Sequence, residues 1–325
     1  MDDDIFLVGD VGATHARYAL ASADSGTYRD EQVLLCEGFD SCEASIETYL
    51  SKVSTADVWG VCLSVAGPVV DGRVSFLNNP WQLQEESLGR AFGTARVRLI
   101  NDFEAVAMSL PMLSDTDVIQ IGKPLPRLRR QSGFQVGLIG PGTGLGAAGL
   151  FRQNGFMLAL ATEAGHVGFA PQTHLQFEVW EVLSRRFERV SNERVLSGRG
   201  LENILSALYY INDVSSDLPK AADIISLVGI DGLATQAVDM LFEILGQVAG
   251  DFALSIGAFD GVYLAGGILP KNYELLQRSP FRRCFESKGR HRSLMENIPT
   301  LLIMHPQPGL LGAAACAVGE FRAGQ

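Results

Sequence analysis

The sequence is short of positive charge. Its 325 residues hold 26 Lys and Arg against 37 Asp and Glu, a formal net charge of −11, and only 19% of positions are charged. With no basic excess to displace counterions, a nucleic-acid partner is disfavoured. Two basic clusters, RLRR at 127–130 and GRHR at 289–292, read as solvated surface. Cysteine is scarce as well. Cys36, Cys42, Cys62, Cys284 and Cys316 form no C-x-x-C pair and no regular framework. That pattern argues for reduced thiols and against zinc or a disulfide scaffold. No apolar run is long enough for a membrane span. The acidic start, MDDDIFLVGD, lacks the basic region of a signal peptide. A soluble, cytoplasmic protein is expected. The patterns G-x-x-x-x-G-K-[ST], G-x-S-x-G and H-E-x-x-H are missing. P-loop NTPase, α/β-hydrolase and zincin readings lose support with them.

Glycine, by contrast, is plentiful, and five glycines crowd into residues 138–149, LIGPGTGLGAAG: Gly140, Gly142, Gly144, Gly146 and Gly149. The last three spell G-x-G-x-x-G after an apolar run. A dinucleotide-binding turn of that form must lead into a helix. Here the chain continues as AAGLFRQNGFMLALATE, and Asn154-Gly155 between apolar segments is a hairpin signal. The unit therefore reads as strand, glycine turn, strand. Such a turn lets backbone N–H groups come close to an anion. The N-terminal region has the same grammar: an apolar strand from Ile5, then GDVGATHAR, YALAS, a turn at Asp24-Ser25-Gly26, and YRDEQVLL. Two such hairpins about 130 residues apart suggest an internal duplication.

Between and beyond them, VWGVCLSVAGPV reads as a strand ending in a turn, and RVRLIND as a strand followed by the helical pattern FEAVAMSLPML. Phe177, Trp180, Leu183 and Phe187 recur at helical spacing, as a core stripe does. A long helix is expected over about 232–256. GVYLAGGILP reads as a strand running into a Gly-Gly turn, and TLLIMHPQPGLLGAAACAVGEF as a strand, a Pro/Gly turn and a final helix. Strands mixed with long helices indicate an α/β fold. The length and the 47% hydrophobic content suit two domains or one large one.

Several residues could carry chemistry. Asp10 stands just before Gly12, Ala13 and Thr14. A carboxylate beside an anion-binding turn repels its ligand unless a cation lies between, so Asp10 is a candidate to orient Mg²⁺ through water. It could equally cap a tight turn. Asn101-Asp102 lies at the carboxyl end of a strand, where open α/β sheets collect ligands. Asp102 could accept a proton from a hydroxyl while Asn101 holds a neighbouring one. The competing reading is a helix N-cap. Glu163 and His166 flank a small-residue turn in TEAGHVGFAP. A metal would need a third ligand that is not nearby; hydrogen bonding to a polyol fits as well. Glu193, in SNERVLSGRG, can be read as a capping-box or surface residue.

In order along the chain stand LVGDVGATHAR, LSVAGPV, LINDFEAVAMSLPML, GPGTGLG, EAGHVGFAP, ERVLSG, LAGGILP, FESKGR and PGLLGAA. Over nearly its whole length the sequence resembles the bacterial glucokinases, ATP:glucose 6-phosphotransferases of the actin-like (hexokinase, Hsp70) ATPase superfamily. The resemblance implies two ribonuclease H-like α/β domains with a cleft between them. The smaller would span 1–110, with a C-terminal helix, 306–325, returning to it; the larger would span 111–305. It implies phosphorylation of D-glucose at the 6-hydroxyl, at the entry to glycolysis, with ATP and Mg²⁺, in a homodimer. Asn101, Asp102, Glu163, His166 and Glu193 would bind glucose, with Asp102 the catalytic base. Gly9, Asp10, Val11, Gly12, Ala13 and Thr14, with Gly142, Thr143 and Gly144, would face the ATP phosphates. Gly266 and Gly267 would lie by the adenosine.

The sequence also departs from the family pattern. The usual turn is G-G-T-N; here it is Gly12-Ala13-Thr14-His15. If the second position needs a positive φ, Ala13 costs on the order of 1 kcal/mol in strain. Ala164 stands where glycine is usual, and Gly168 where Asp is common. Three alternatives remain beside glucokinase. One is a kinase for another hexose. Another is a weak sugar-binding protein on the same scaffold. The third is a regulator of the related repressor–kinase group, which would show a helix-turn-helix ahead of the first strand and, in many members, a zinc motif; neither is in the sequence.

Overall fold

A computed structural model describes residues 4–22, 27–54, 57–76, 79–123 and 133–322. The Asp24-Ser25-Gly26 turn and the basic cluster at 127–130 lie outside the described residues. In chain order the elements begin with β1 (Ile5–Val11), β2 (His15–Ser22), β3 (Tyr28–Leu35), α1 (Cys42–Lys52), β4 (Gly60–Val65), β5 (Arg73–Ser75), β6 (Gln82–Gln84), α2 (Glu85–Ala91), β7 (Val97–Asn101) and α3 (Asp102–Ser109). There follow β8 (Val118–Ile121), β9 (Gly133–Pro141), β10 (Leu145–Gln153), β11 (Phe156–Thr162), α4 (His174–Ser184), α5 (Gly198–Ile211), α6 (Ala221–Ser226) and α7 (Gly232–Ile256). The chain closes with β12 (Gly261–Leu264), α8 (Tyr273–Arg278), α9 (Phe281–Glu286), α10 (Arg292–Met295), β13 (Thr300–Ile303) and α11 (Pro308–Arg322). These elements form two compact units, Met1–Ser114 with His305–Gln325, and Asp115–Met304.

The first unit is built on a sheet of order β3-β2-β1-β4-β7. The β1–β2–β3 meander is antiparallel, while β1, β4 and β7 run parallel. Every residue of β4 is buried, as expected for a parallel strand covered on both faces. The alternation of β1 sorts its side chains. Phe6 and Val8 pack with Ile100 of β7 and with Leu310, Ala313 and Ala314 of α11. Leu7 and Val11 pack with Leu63, Ile46 and Tyr49 on the other face. Helices α3 and α11 cross closely because Gly312 has no side chain: a Cβ there would fall 1.6 Å from the Ala105 carbonyl oxygen.

The second unit is built on a sheet of order β11-β10-β9-β12-β13-β8. Its first five strands repeat the first unit's plan: an antiparallel meander, then β9, β12 and β13 in parallel. The strand expected after the glycine turn is β10, and the hairpin turn at Asn154-Gly155 has both residues at positive φ, 51° and 84°. That is the type I′ geometry for which Asn-Gly is preferred. Helix α7 covers the long apolar stretch expected there. Asp231 caps its N-terminus by accepting the Ala234 N–H, and Gly257 ends it at φ 69°. The stripe at Phe177, Trp180, Leu183 and Phe187 is only partly core. Leu183 is buried, whereas Phe177 is 51% exposed and Phe187 lies beyond the end of α4. All five cysteines are unpaired thiols, and burial pushes Cys42 up to about 12, which keeps it protonated. The cluster at 289–292 is exposed, and among the described residues no helix is long and apolar enough to cross a membrane.

Candidate active site

In the first unit the predicted residues gather at the carboxyl ends of the parallel strands. Parallel register sets Asp10 beside Ser64 and Val65 beside Asn101. With one strand between them, β1 and β7 are about 10 Å apart. Asp10 lies on the face of Phe6 and Val8, and its carboxylate reaches the first turn of α11, 3.5 Å from where a Gly309 Cβ would stand. Ser64 Oγ donates to Asp10 Oδ1 at 3.2 Å, and Arg17 Nη1 stands 4.0 Å from Oδ2. Burial pushes the Asp10 carboxyl up, against the pull of Arg17 and the Ser64 hydrogen bond. Arg17 and Ser64 were not singled out from sequence. The hairpin register could have found Arg17, since it and Asp10 are equidistant from the turn centre at Ala13-Thr14 and pair across it.

The turn at 12–14 is held firmly. The Gly12 N–H donates to the His15 carbonyl at 2.9 Å, and the Cys36 N–H donates to the Thr14 carbonyl at 2.9 Å. The buried Asn79 donates to the Gly12 carbonyl at 3.4 Å. Ala13 is not among the residues at positive φ, so the expected strain is absent. The pairing of Gly12 with His15 closes the turn without calling on the left-handed region, and alanine fits it.

The N-cap of α3 is Asn101, with a complete capping box. Its Oδ1 accepts from Phe103 N–H at 2.9 Å and Glu104 N–H at 3.4 Å, and Glu104 Oε2 accepts the Asn101 N–H. Asn101 Nδ2 also donates to the Gly67 carbonyl at 3.1 Å. What remains to Asn101 is a single amide hydrogen, so towards a ligand it can only donate. Asp102 is the first residue of the helix and not its cap. The positive end of α3 favours a carboxylate at that place.

In the second unit, Glu163, His166, Glu193 and the turn at 142–144 belong to three interlocked loops. Glu163 and His166 are both exposed, with Glu163 Oε2 3.8 Å from His166 Nε2. No group of three His, Cys, Asp or Glu able to hold a metal ion occurs among the described residues. Glu193 is not a loose surface group. Its Oε2 accepts the Leu145 N–H at 3.0 Å. The turn itself closes with the Gly142 N–H on the Gly144 carbonyl at 2.7 Å. A Cβ on Gly142 or Gly267 would meet nothing within 4 Å, so backbone is open to a ligand at both places. Gly266 lies at φ 88°, and a Cβ there would fall 2.3 Å from the Pro141 carbonyl oxygen. The Gly-Gly turn after β12 and the turn after β9 are therefore direct neighbours.

These features fit a polyphosphate with Mg²⁺. Each unit carries a glycine turn, the kind of backbone that can approach an anion. The buried Arg17 Nε has no hydrogen-bond partner among the described residues, which leaves a cationic donor beside the first turn. A single acidic group at Asp10 suits a magnesium ion held mainly by phosphate oxygens and water.

Two α/β units of repeated strand order, each with a glycine turn at the start of its meander, make up a fold whose solved neighbours include glucokinases and other sugar kinases. The chain superposes with TM-score 0.60 on a ROK family glucokinase from Streptomyces griseus solved in complex with glucose and AMPPNP, at 20% identity, over 95% of this chain and 98% of that one. A glucokinase from an Antarctic psychrotroph superposes with TM-score 0.87 at 31% identity, covering 97% of this chain and 98% of that one. The Glucokinase family model matches residues 7–320. The glucokinase of Xanthomonas campestris pv. campestris (strain B100) is 40% identical over 328 residues, 98% of this chain and 96% of its own. The chain belongs to the glucokinase family.

Proposed function

We propose that this protein transfers the γ-phosphoryl group of ATP to the 6-hydroxyl of D-glucose, giving glucose 6-phosphate and ADP. The observation that carries the reading is the placement of Asp102. In a chain of the glucokinase family, it opens α3 at the carboxyl end of β7, beside a capping Asn101 with one donor to spare. Phosphoryl transfer has a loose transition state, so the protein mainly positions groups and stabilises charge. Asp102 holds the 6-hydroxyl and takes its proton as the bond to phosphorus forms. Asn101 donates to a neighbouring hydroxyl, and Glu163, His166 and Glu193 bind the others. A sugar lacking one of those hydroxyls forgoes a hydrogen bond to one of these charged or polar groups, which is the source of selectivity.

ATP with Mg²⁺ supplies the phosphoryl group. Gly9 to Thr14 would face its phosphates from the first unit, with Arg17 offering a donor and Asp10 orienting the metal through water. Gly142, Thr143 and Gly144 would face them from the second, and Gly266 and Gly267 would border the adenosine. The finer points belong to the same proposal: two ribonuclease H-like domains that close on the substrates, a homodimer, and a cytoplasmic place at the start of glycolysis. A coupled assay of ADP release over glucose, mannose, fructose and glucosamine tests it. Glucose is expected to be the preferred acceptor. Preference for another sugar would reassign the substrate, and no sugar-dependent ADP release would leave only a sugar-binding protein.

A further inference from the structure

We propose that Glu193 is a positioning residue that couples sugar binding to the shape of the phosphate turn at 142–144. The inference rests on the reading of Glu193 as a sugar ligand and extends it. Glu193 Oε2 accepts the Leu145 N–H at 3.0 Å, one residue past the turn. A Cβ on Gly144 would lie 2.5 Å from that same oxygen, so the carboxylate lies across the turn's last residue. The other end of the turn is held by the same segment: the Gly198 N–H donates to the Gly142 carbonyl at 3.0 Å. Between these contacts, Ser197 Oγ donates to the Glu193 carbonyl at 2.9 Å and accepts the Gly200 N–H at 2.9 Å, which caps α5. Segment 193–198 thus grips the turn at both ends, braced on a fourteen-residue helix.

The segment also reaches the loop that bears Glu163 and His166. The Asn192 N–H donates to the Val167 carbonyl at 2.8 Å, and Asn192 Nδ2 donates to the Ala164 carbonyl at 3.4 Å. Gly165 leaves no room for a side chain, since a Cβ there would fall 2.2 Å from the Leu145 carbonyl oxygen. Of these contacts only the Glu193 carboxylate has two acceptors with separate tasks. Oε2 takes the Leu145 N–H, and Oε1 is the oxygen that a sugar hydroxyl would engage. A sugar on Oε1 fixes the carboxylate plane and with it the N–H contact. When the carboxylate turns away, the N–H of the buried Leu145 loses its acceptor and the turn loses its clamp. Coupling of this kind is reciprocal: sugar and nucleotide phosphates strengthen each other's binding.

Calorimetric titration of the full chain with glucose, with AMPPNP and Mg²⁺, and with glucose at saturating AMPPNP tests this. Glucose affinity is expected to rise about fivefold or more when AMPPNP is present. Gly144→Ala places a methyl against Glu193 Oε2, so it should weaken glucose binding several-fold without any nucleotide and abolish the coupling. An unchanged glucose Kd in a folded Gly144→Ala protein would overturn the proposal. Should that variant not fold, Glu193→Ala, which removes the acceptor of the Leu145 N–H, decides: AMPPNP binding without sugar is expected to weaken, and an unchanged AMPPNP Kd would overturn the proposal as well. Wild-type protein that binds AMPPNP but no glucose would instead sink the proposed function, and this inference with it.

Discussion

The two glycine turns sit on the same frame and are furnished in opposite ways. In each unit the residue after the second parallel strand donates its N–H to the first: Ala66 to the Val11 carbonyl at 3.2 Å, and Ala265 to the Ile139 carbonyl at 3.0 Å. In the first unit that contact stands directly before the turn. In the second it falls two residues earlier, and Gly140 and Pro141 run on without a partner on β12. Glycines fill the difference. A Cβ on Gly140 would fall 2.4 Å from the Ala265 carbonyl oxygen, and one on Gly266 would fall 2.3 Å from that of Pro141. Side-chain charge follows the same split. The first turn has Asp10 and Arg17 on its own strands, whereas the second borrows its one carboxylate, Glu193, from 48 residues downstream. The repeated frame thus carries charged side chains on the first turn's own strands and open backbone at the second turn.

The sharpest way to test that division is Asp102→Asn, which keeps shape but cannot take a proton. General-base catalysis contributes about 10²–10⁴-fold, so kcat should fall at least by the lower figure. The fold should be undisturbed, because Asn101 is the cap and not Asp102. Near-normal kcat in a folded variant would sink the mechanism. Next in size is Gly266→Ala. A side chain at φ 88° against the Pro141 carbonyl should cost about 2–3 kcal/mol in stability and raise the KM for ATP. If melting and KM were both unaltered, the second turn would not depend on backbone clearance.

Asp10→Asn should cost about tenfold in turnover, as the loss of one charged orienting group, yet raise the melting temperature at neutral pH. The sign follows from the upward shift. Folding favours the protonated carboxyl, so the stability it contributes is complete below the ordinary value of 3.8 and is lost as pH rises through the folded value. The ionised group therefore weighs against folding at pH 7, and the advantage of Asn should shrink on acidification. A lower melting temperature at pH 7 would mean that Arg17 and Ser64 outweigh burial. Smallest of all is Ala13→Gly. With no positive φ to relieve, it should leave ATP affinity unchanged and lower stability by up to about 1 kcal/mol through the unfolded chain. Tighter ATP binding would revive the strain argument.

Much of the frame was legible because its signals are local. Asn154-Gly155 marks its hairpin through two positive φ values, and α7 is announced by a long apolar pattern, Asp231 and Gly257. The roles of Asn101 and Asp102 were only half legible. Either residue type caps a helix well, and nothing in the two letters says which of them the helix begins after. Phe177 shows the limit of periodicity: helical spacing defines a face, but not what, if anything, lies against it.

By itself the sequence determined the strand–turn–strand units, their repetition and the class of chemistry, and it marked the residues proposed to perform it. All of these depend on residue type and short spacing. Tertiary structure alone decided which partners those residues keep. Arg17 meets Asp10 through the register of a hairpin, and Ser64 meets it through a parallel strand 54 residues away. Glu193 closes on the Leu145 N–H because Gly144 leaves room for it and because α5 anchors its segment. A spacing of 48 residues carries no periodic signal, so only the packed loops can bring that carboxylate to that N–H.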